Sequence, residues 1–239
     1  MAALGGTSQE KQRRIERLVG SLFILATASS SLGFILLDPI LDNADILGGV
    51  AANETRVIVA GLLLLTNAAA VVVIPALLFP TLEKHNAHLA RLYPGSRILE
   101  AAALVVGVVG LLSLVTLSRD YVPSGADAAS FRASAAALLA VYDWGVLVGI
   151  LFLFSLAGLL LNYLLYRARL VPRWLAIWGL VGVALLLVEG VLEAFGAENL
   201  EIMSLPFAVQ EMVFALWLIV KGFTATASAH SSSPQMEPA

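Results

Sequence analysis

Six apolar stretches separated by short polar connectors constrain this chain more than any other feature of it. They run over about residues 18–37, 56–82, 97–118, 138–166, 174–195 and 202–221 of a 239-residue sequence. A bilayer's hydrocarbon core is about 30 Å thick, and about 20 apolar helical residues are needed to cross it. The backbone finds no water there, so a crossing segment must satisfy its own polar groups, which a helix does. The expected fold is all-α: a polytopic membrane helix bundle with six transmembrane helices. Composition agrees, with only 13% of residues charged where a soluble domain carries about a quarter.

Around these spans the chain divides simply. Residues 1–17 form a polar, basic N-terminal segment, 18–223 a six-span membrane domain, and 224–239 a Ser/Ala/Pro-rich stretch with the composition of a disordered tail. A basic start followed by an apolar run also describes a signal peptide. The run at 18–37 is longer than a signal core, however, and no small-x-small cleavage site follows closely, so a first span is expected. The connectors are too short to hold a separate soluble module. Proline enters the second span at Pro75 and Pro80, where it bends a helix. Tyr93-Pro94-Gly95 reads as the close of the connector 83–96. Gly107 with Gly110, and Gly145 with Gly149, give thin faces that allow close helix packing.

Charge segregation sets the orientation. Lys11, Arg13, Arg14, Arg17, Lys84, Arg91, Arg97, Arg167, Arg169, Arg173 and Lys221 fall on one set of alternate connectors and ends, and only Arg56, Arg119 and Arg132 on the other. The positive-inside rule then predicts cytoplasmic N and C termini. The formal net charge of −3, with no long basic tract, argues against nucleic acid as a partner. Membrane lipid is the expected surrounding partner, and the sequence does not indicate an oligomeric state. Cysteine is absent, which removes disulfide and thiolate chemistry.

The residues that could carry chemistry are carboxylates within apolar runs. Glu211 lies about 15 Å from Lys221 along a helix, near the bilayer midplane. Glu189 lies about 24 Å from Arg173, and Glu193 one turn nearer the far surface. Gly179, Gly182, Glu189 and Glu193 are spaced to share one helix face. Asp143, Asn67 and Arg56 complete the candidate set, with Gln210 close to Glu211 in depth. Intramembrane ionisable residues mark ion, proton or ligand paths when they face an interior. Three readings follow: a site for a cation, a proton or a small polar or amphipathic ligand; a scaffold in which neutral acids bond across helices or pair with Arg56; or an intramembrane enzyme. For the last, metal ligands are scarce. His85 and His88, three apart beside Glu83, are the weak metal candidates, and oxygen-only ligation by the acids would favour calcium, magnesium or manganese. No cofactor is evident, and no Ser-His-Asp set or phosphate loop is visible. Arg97 and Glu100, three apart, are spaced to pair along a helix face at the membrane edge.

Several local patterns carry a likeness to a known family. They are the basic start Lys11–Arg17, Tyr93 with Arg97 and Glu100, and Asn162-Tyr163 followed by Val171-Pro172-Arg173-Trp174-Leu175. Pro206 with Glu211 and the run Trp217–Phe223 complete them. Over about residues 10–224 the chain resembles the bacterial integral-membrane family designated domain of unknown function 4386. That resemblance implies a multi-pass protein of the bacterial inner membrane with six spans and no assigned biochemical role. It carries over no catalytic residue, cofactor or substrate.

Overall fold

In a computed structural model, which describes residues 2–121, 128–197 and 200–224, every regular element is helical. Helix α1 (Ala2–Leu41) leads into the short α2 (Ile46–Ala52), which is capped by the Asp45 carboxylate accepting from the Gly48 N–H at 3.2 Å. Helix α3 (Glu54–Leu82) holds Pro75 and Pro80, and α4 spans Ala87–Arg119. The sequence placed a connector up to Ser96. The structure instead starts α4 at Ala87, because the Asn86 side chain accepts from the Leu89 N–H at 3.0 Å and caps the new helix. Tyr93-Pro94-Gly95 therefore lies inside α4 rather than in a turn.

Helices α5 (Ala128–Val146) and α6 (Phe154–Ala168) are joined by a π-helical stretch, Leu147–Leu153, into one run of 41 residues. At about 60 Å, that run is roughly twice the hydrocarbon thickness. A tight turn leads into α7 (Arg173–Ala194), and a 3-10 turn (Glu201–Met203) precedes α8 (Leu205–Val220).

Among the described residues five helical runs, rather than the expected six, are long and apolar enough to cross a membrane: Gln9–Leu41, Glu54–Leu82, Ala87–Arg119, Ala128–Ala168 and Arg173–Ala194. The stretch expected as a sixth span forms α8, which is apolar but only 16 residues long. Its length of about 24 Å falls short of the hydrocarbon core. Pro206 in its first turn fixes where it begins. At the other end Gly222 turns into the left-handed region at φ 74°, and Trp217 O accepts from both Lys221 N and Gly222 N. The segment expected to be a disordered tail lies outside the described residues beyond Thr224.

The chain forms two units, each assembled from stretches of the same long helices. The first comprises residues 1–23, 74–95 and 155–239, and the second 24–73 and 96–154. In the second unit Leu37, Leu47, Val57, Leu64, Leu111 and Leu114 form the heart of the core. Here the thin faces meet: a Cβ added to Gly145 on α5 would lie 2.6 Å from Gly107 Cα on α4, and one on Gly110 would lie 2.9 Å from Leu138 O. In the first unit α6, α7 and α8 pack so closely that a Cβ on Gly182 would lie 2.9 Å from Phe207 Cα, while one on Gly158 would meet Val183 Cγ2 at 2.9 Å. Such contacts are how helices associate in lipid, where apolar burial alone gives little drive.

Candidate functional site

One turn from the Gly158–Gly182–Phe207 contact, three helices of the first unit meet through polar groups. Gln210 on α8 donates from Nε2 to Leu175 O of α7 at 3.2 Å and to Asn162 Oδ1 of α6 at 3.5 Å. Asn162 Nδ2 donates in turn to Gly158 O at 2.9 Å, within its own helix. The carboxamide of Asn162 occupies the space where a side chain at Gly179 would stand. Asn162 and Gln210 are 3% and 2% exposed. In an apolar span each buried amide needs such partners, because an unmet polar group there costs about as much as a lost hydrogen bond or more. Ser155, two turns along α6 from Asn162, is fully buried and its Oγ has no hydrogen-bond partner.

Glu189 stands on the buried face of α7, as its spacing from Gly179 and Gly182 predicts, and is 5% exposed. Glu193, one turn further and near the helix end, is exposed. Glu211 is half-buried, and its neighbour Gln210 is the residue that α8 turns fully into the unit. Adjacent residues on a helix differ by about 100° in direction, so depth along the helix could not choose between them.

The other candidates belong to the second unit. Asn67 is buried at 7% exposure. Arg56 is half-buried, donates from one guanidinium nitrogen to Ile35 O at 3.4 Å, and keeps Nε without a hydrogen bond. Asp143 is exposed, whereas the preceding Tyr142 is in the core. His85 and His88 are exposed on and beside the α3–α4 connector. Partial burial, and then the charge of Lys84, hold the His85 imidazole below its ordinary value of 6.5. Glu83 pairs with Arg91 at 3.5 Å. Among the described residues no three His, Asp or Glu side chains gather as a metal site would require.

The second unit also holds a feature that the sequence placed at the membrane edge. Arg97 and Glu100 do pair, at 2.9 Å, but with side chains only 3% and 2% exposed. Arg97 Nε donates to Val71 O at 3.4 Å, and its guanidinium lies over the Phe154 ring at 5.0 Å from the centroid. Opposite them runs the π-helical stretch: a Cβ on Gly149 would sit 3.4 Å from Glu100 O. The three-residue spacing was the visible signal. What hid the burial was the false connector, since α4 begins at Ala87, about 15 Å along the helix before Arg97.

The pattern described as Domain of unknown function (DUF4386) matches residues 18–222. This chain belongs to the DUF4386 family. No match was found among curated proteins or among solved structures. The matched range takes in both polar layers of this DUF4386 member, the Asn162–Gln210 junction and the Arg97–Glu100 pair. It excludes the α1 residues Gln12, Arg13 and Glu16 of a third cluster. There Arg13 donates to Leu218 O at 2.7 Å and Ile219 O at 2.9 Å, while pairing with Glu16 at 3.1 Å. Gln12 Nε2 donates to Glu16 Oε1 at 3.3 Å and to Thr81 Oγ1 at 3.1 Å. Arg13 thus supplies donors to the last carbonyls of α8, which have none within the helix.

Proposed function

We propose that this DUF4386 member is a multi-pass protein of the bacterial inner membrane that binds a proton or a small cation through the Glu189 carboxylate. The observation that carries this reading is the near-complete burial of Glu189 on a helix of 22 residues that is long and apolar enough to cross a membrane. A carboxylate at that depth must be neutral or have its charge balanced, which is what a proton or cation site requires. With the basic ends cytoplasmic and α8 counted as a sixth crossing, Glu189 stands in the outer half of the bilayer. The bonds from Arg13 to the end of α8 support that count, because they bring the two ends of the membrane domain together.

The test uses the full chain in lipid nanodiscs, with thermal stability followed against pH and against sodium, potassium and guanidinium chloride. Glu189→Gln should abolish the response to protons or cation. Glu211→Gln, at a half-buried position, should leave most of it. If the Glu189 variant keeps the full response, the binding reading fails. A scaffold is the second reading, favoured by the closed contact of Gly158, Gly179 and Gly182 with Phe207 and Asn162. It expects Glu189→Gln to move the melting temperature equally under all conditions.

A further inference from the structure

The turn between α6 and α7 holds an arginine where chains ordinarily place glycine. Helix α6 ends with the Leu170 N–H bonded back to Leu165 O at 3.2 Å, which puts Arg169 in the left-handed region at φ 53°. Glycine or asparagine fits that position without strain, and a long side chain does not. A strained residue that persists is reason to ask what its side chain does. Arg169 lines a pocket of about 400 Å³ together with Val171, Pro172, Arg173 and Thr224. Thr224 forms one wall, since its N–H and its hydroxyl both donate to Leu170 O, at 2.9 and 3.2 Å.

The pocket is positive on three independent counts. Arg169 and Arg173 contribute two guanidinium groups, and among the described residues neither forms a salt bridge with a carboxylate. Arg173 is steadied over the Tyr166 ring at 5.6 Å. Helix α7 begins here, its N-cap residue Pro172 offering no side-chain acceptor to the first N–H groups, so that end of the helix is left to attract an anion. Beside the pocket, Trp174 packs against Trp178 and Trp217 with ring centroids 6.3 and 6.5 Å apart, and Lys221 lies over Trp217 at 4.8 Å. Tryptophan and tyrosine gather at the headgroup level of a bilayer.

We infer that this pocket binds a phosphate group, contributed by the headgroup of an anionic phospholipid in the adjacent leaflet. Two planar guanidinium groups suit the oxygens of a phosphodiester. The aromatic belt sets the pocket at the depth where such headgroups lie, and a basic recess between helices is a known form of lipid recognition. The site is separate from Glu189 and stands whether or not that carboxylate binds a cation.

The experiment is native mass spectrometry of the full chain released from nanodiscs of phosphatidylcholine, with or without phosphatidylglycerol. A parallel titration uses inorganic phosphate. The wild type should retain phosphatidylglycerol in preference to phosphatidylcholine. Arg169→Asn keeps a residue that tolerates the left-handed backbone and should weaken that retention about fivefold, as should Arg173→Gln. Arg167→Gln, an exposed arginine outside the pocket, should leave it nearly unchanged. Arg169→Lys and Arg173→Lys, which keep the charges, guard against loss through misfolding and should retain part of the preference. Equal loss in the Arg167 variant would reduce the effect to general surface charge and overturn the site. Inorganic phosphate competing fully at millimolar levels would overturn the lipid source, and absence of any preference would overturn the proposal outright.

Discussion

Arg97 and Glu100 illustrate how much of this molecule depends on individual side chains in a medium that does not forgive an unmet charge. Their pair is 2.9 Å long and almost wholly enclosed. Removing one partner of such a pair leaves the other charge buried, which destabilises by about 3–5 kcal/mol. Glu100→Ala and Arg97→Ala should each lower resistance to denaturant on that scale. The double substitution Arg97→Met/Glu100→Leu should recover most of the loss, because two apolar groups of similar volume remove both desolvation penalties. Denaturant titration in mixed micelles measures this, and full additivity of the single losses would contradict the pairing. At this scale the sequence disclosed spacing well and direction poorly. Glu189 was placed on its buried face because Gly179 and Gly182 set a register. Glu211 had only depth to place it, and depth does not distinguish it from Gln210. In soluble proteins a polar outer face would settle such a choice. In lipid the outer face is as apolar as the inner one, so the periodicity that marks the interior is muted.

Helices here start and stop where local chemistry says, and that explains which boundaries were legible. Pro172 and the basic turn before α7 were plain from the sequence, as were the glycines that let α4 and α5 touch. Asn86 caps α4, but the turn residues Tyr93-Pro94-Gly95 mask that start, which lies ten residues before the expected one at 97. Nothing in the apolar run 128–168 announced the π-helical stretch, since no residue type compels one. For α8 the decisive contact is remote. Arg13 donates to Leu218 O and Ile219 O, and charge-assisted bonds of this kind contribute about 1.5–3 kcal/mol each. Arg13→Ala should therefore fray the last turn of α8, read as faster amide exchange over residues 218–222 with exchange in α7 little changed. An unaltered rate there would show that the clamp is redundant with the bonds from Lys221 N and Gly222 N to Trp217 O.

For the molecule as a whole, the sequence disclosed class more securely than count. All-helical, membrane-spanning and multi-pass followed from hydropathy and length, whereas the sixth crossing rests on a helix of 16 residues. The chain has no cysteine, so single cysteines report sidedness without background. Gln9→Cys, His85→Cys and Lys221→Cys should react with an impermeant maleimide from one side of sealed vesicles, and Asp42→Cys and Gly196→Cys from the other. Lys221 reacting from the same side as Gly196 would remove α8 from the count of crossings. The Arg13 clamp has one more consequence, for how the protein is made. It joins residues 205 and 206 positions apart, so α1 cannot complete its contacts until α8 has been synthesised. Throughout translation the Arg13 and Glu16 charges must be sheltered by water, lipid headgroups or the insertion machinery. A nascent chain cut short before Leu218 would carry that need permanently, giving quality-control proteases a mark by which to tell unfinished copies from finished ones.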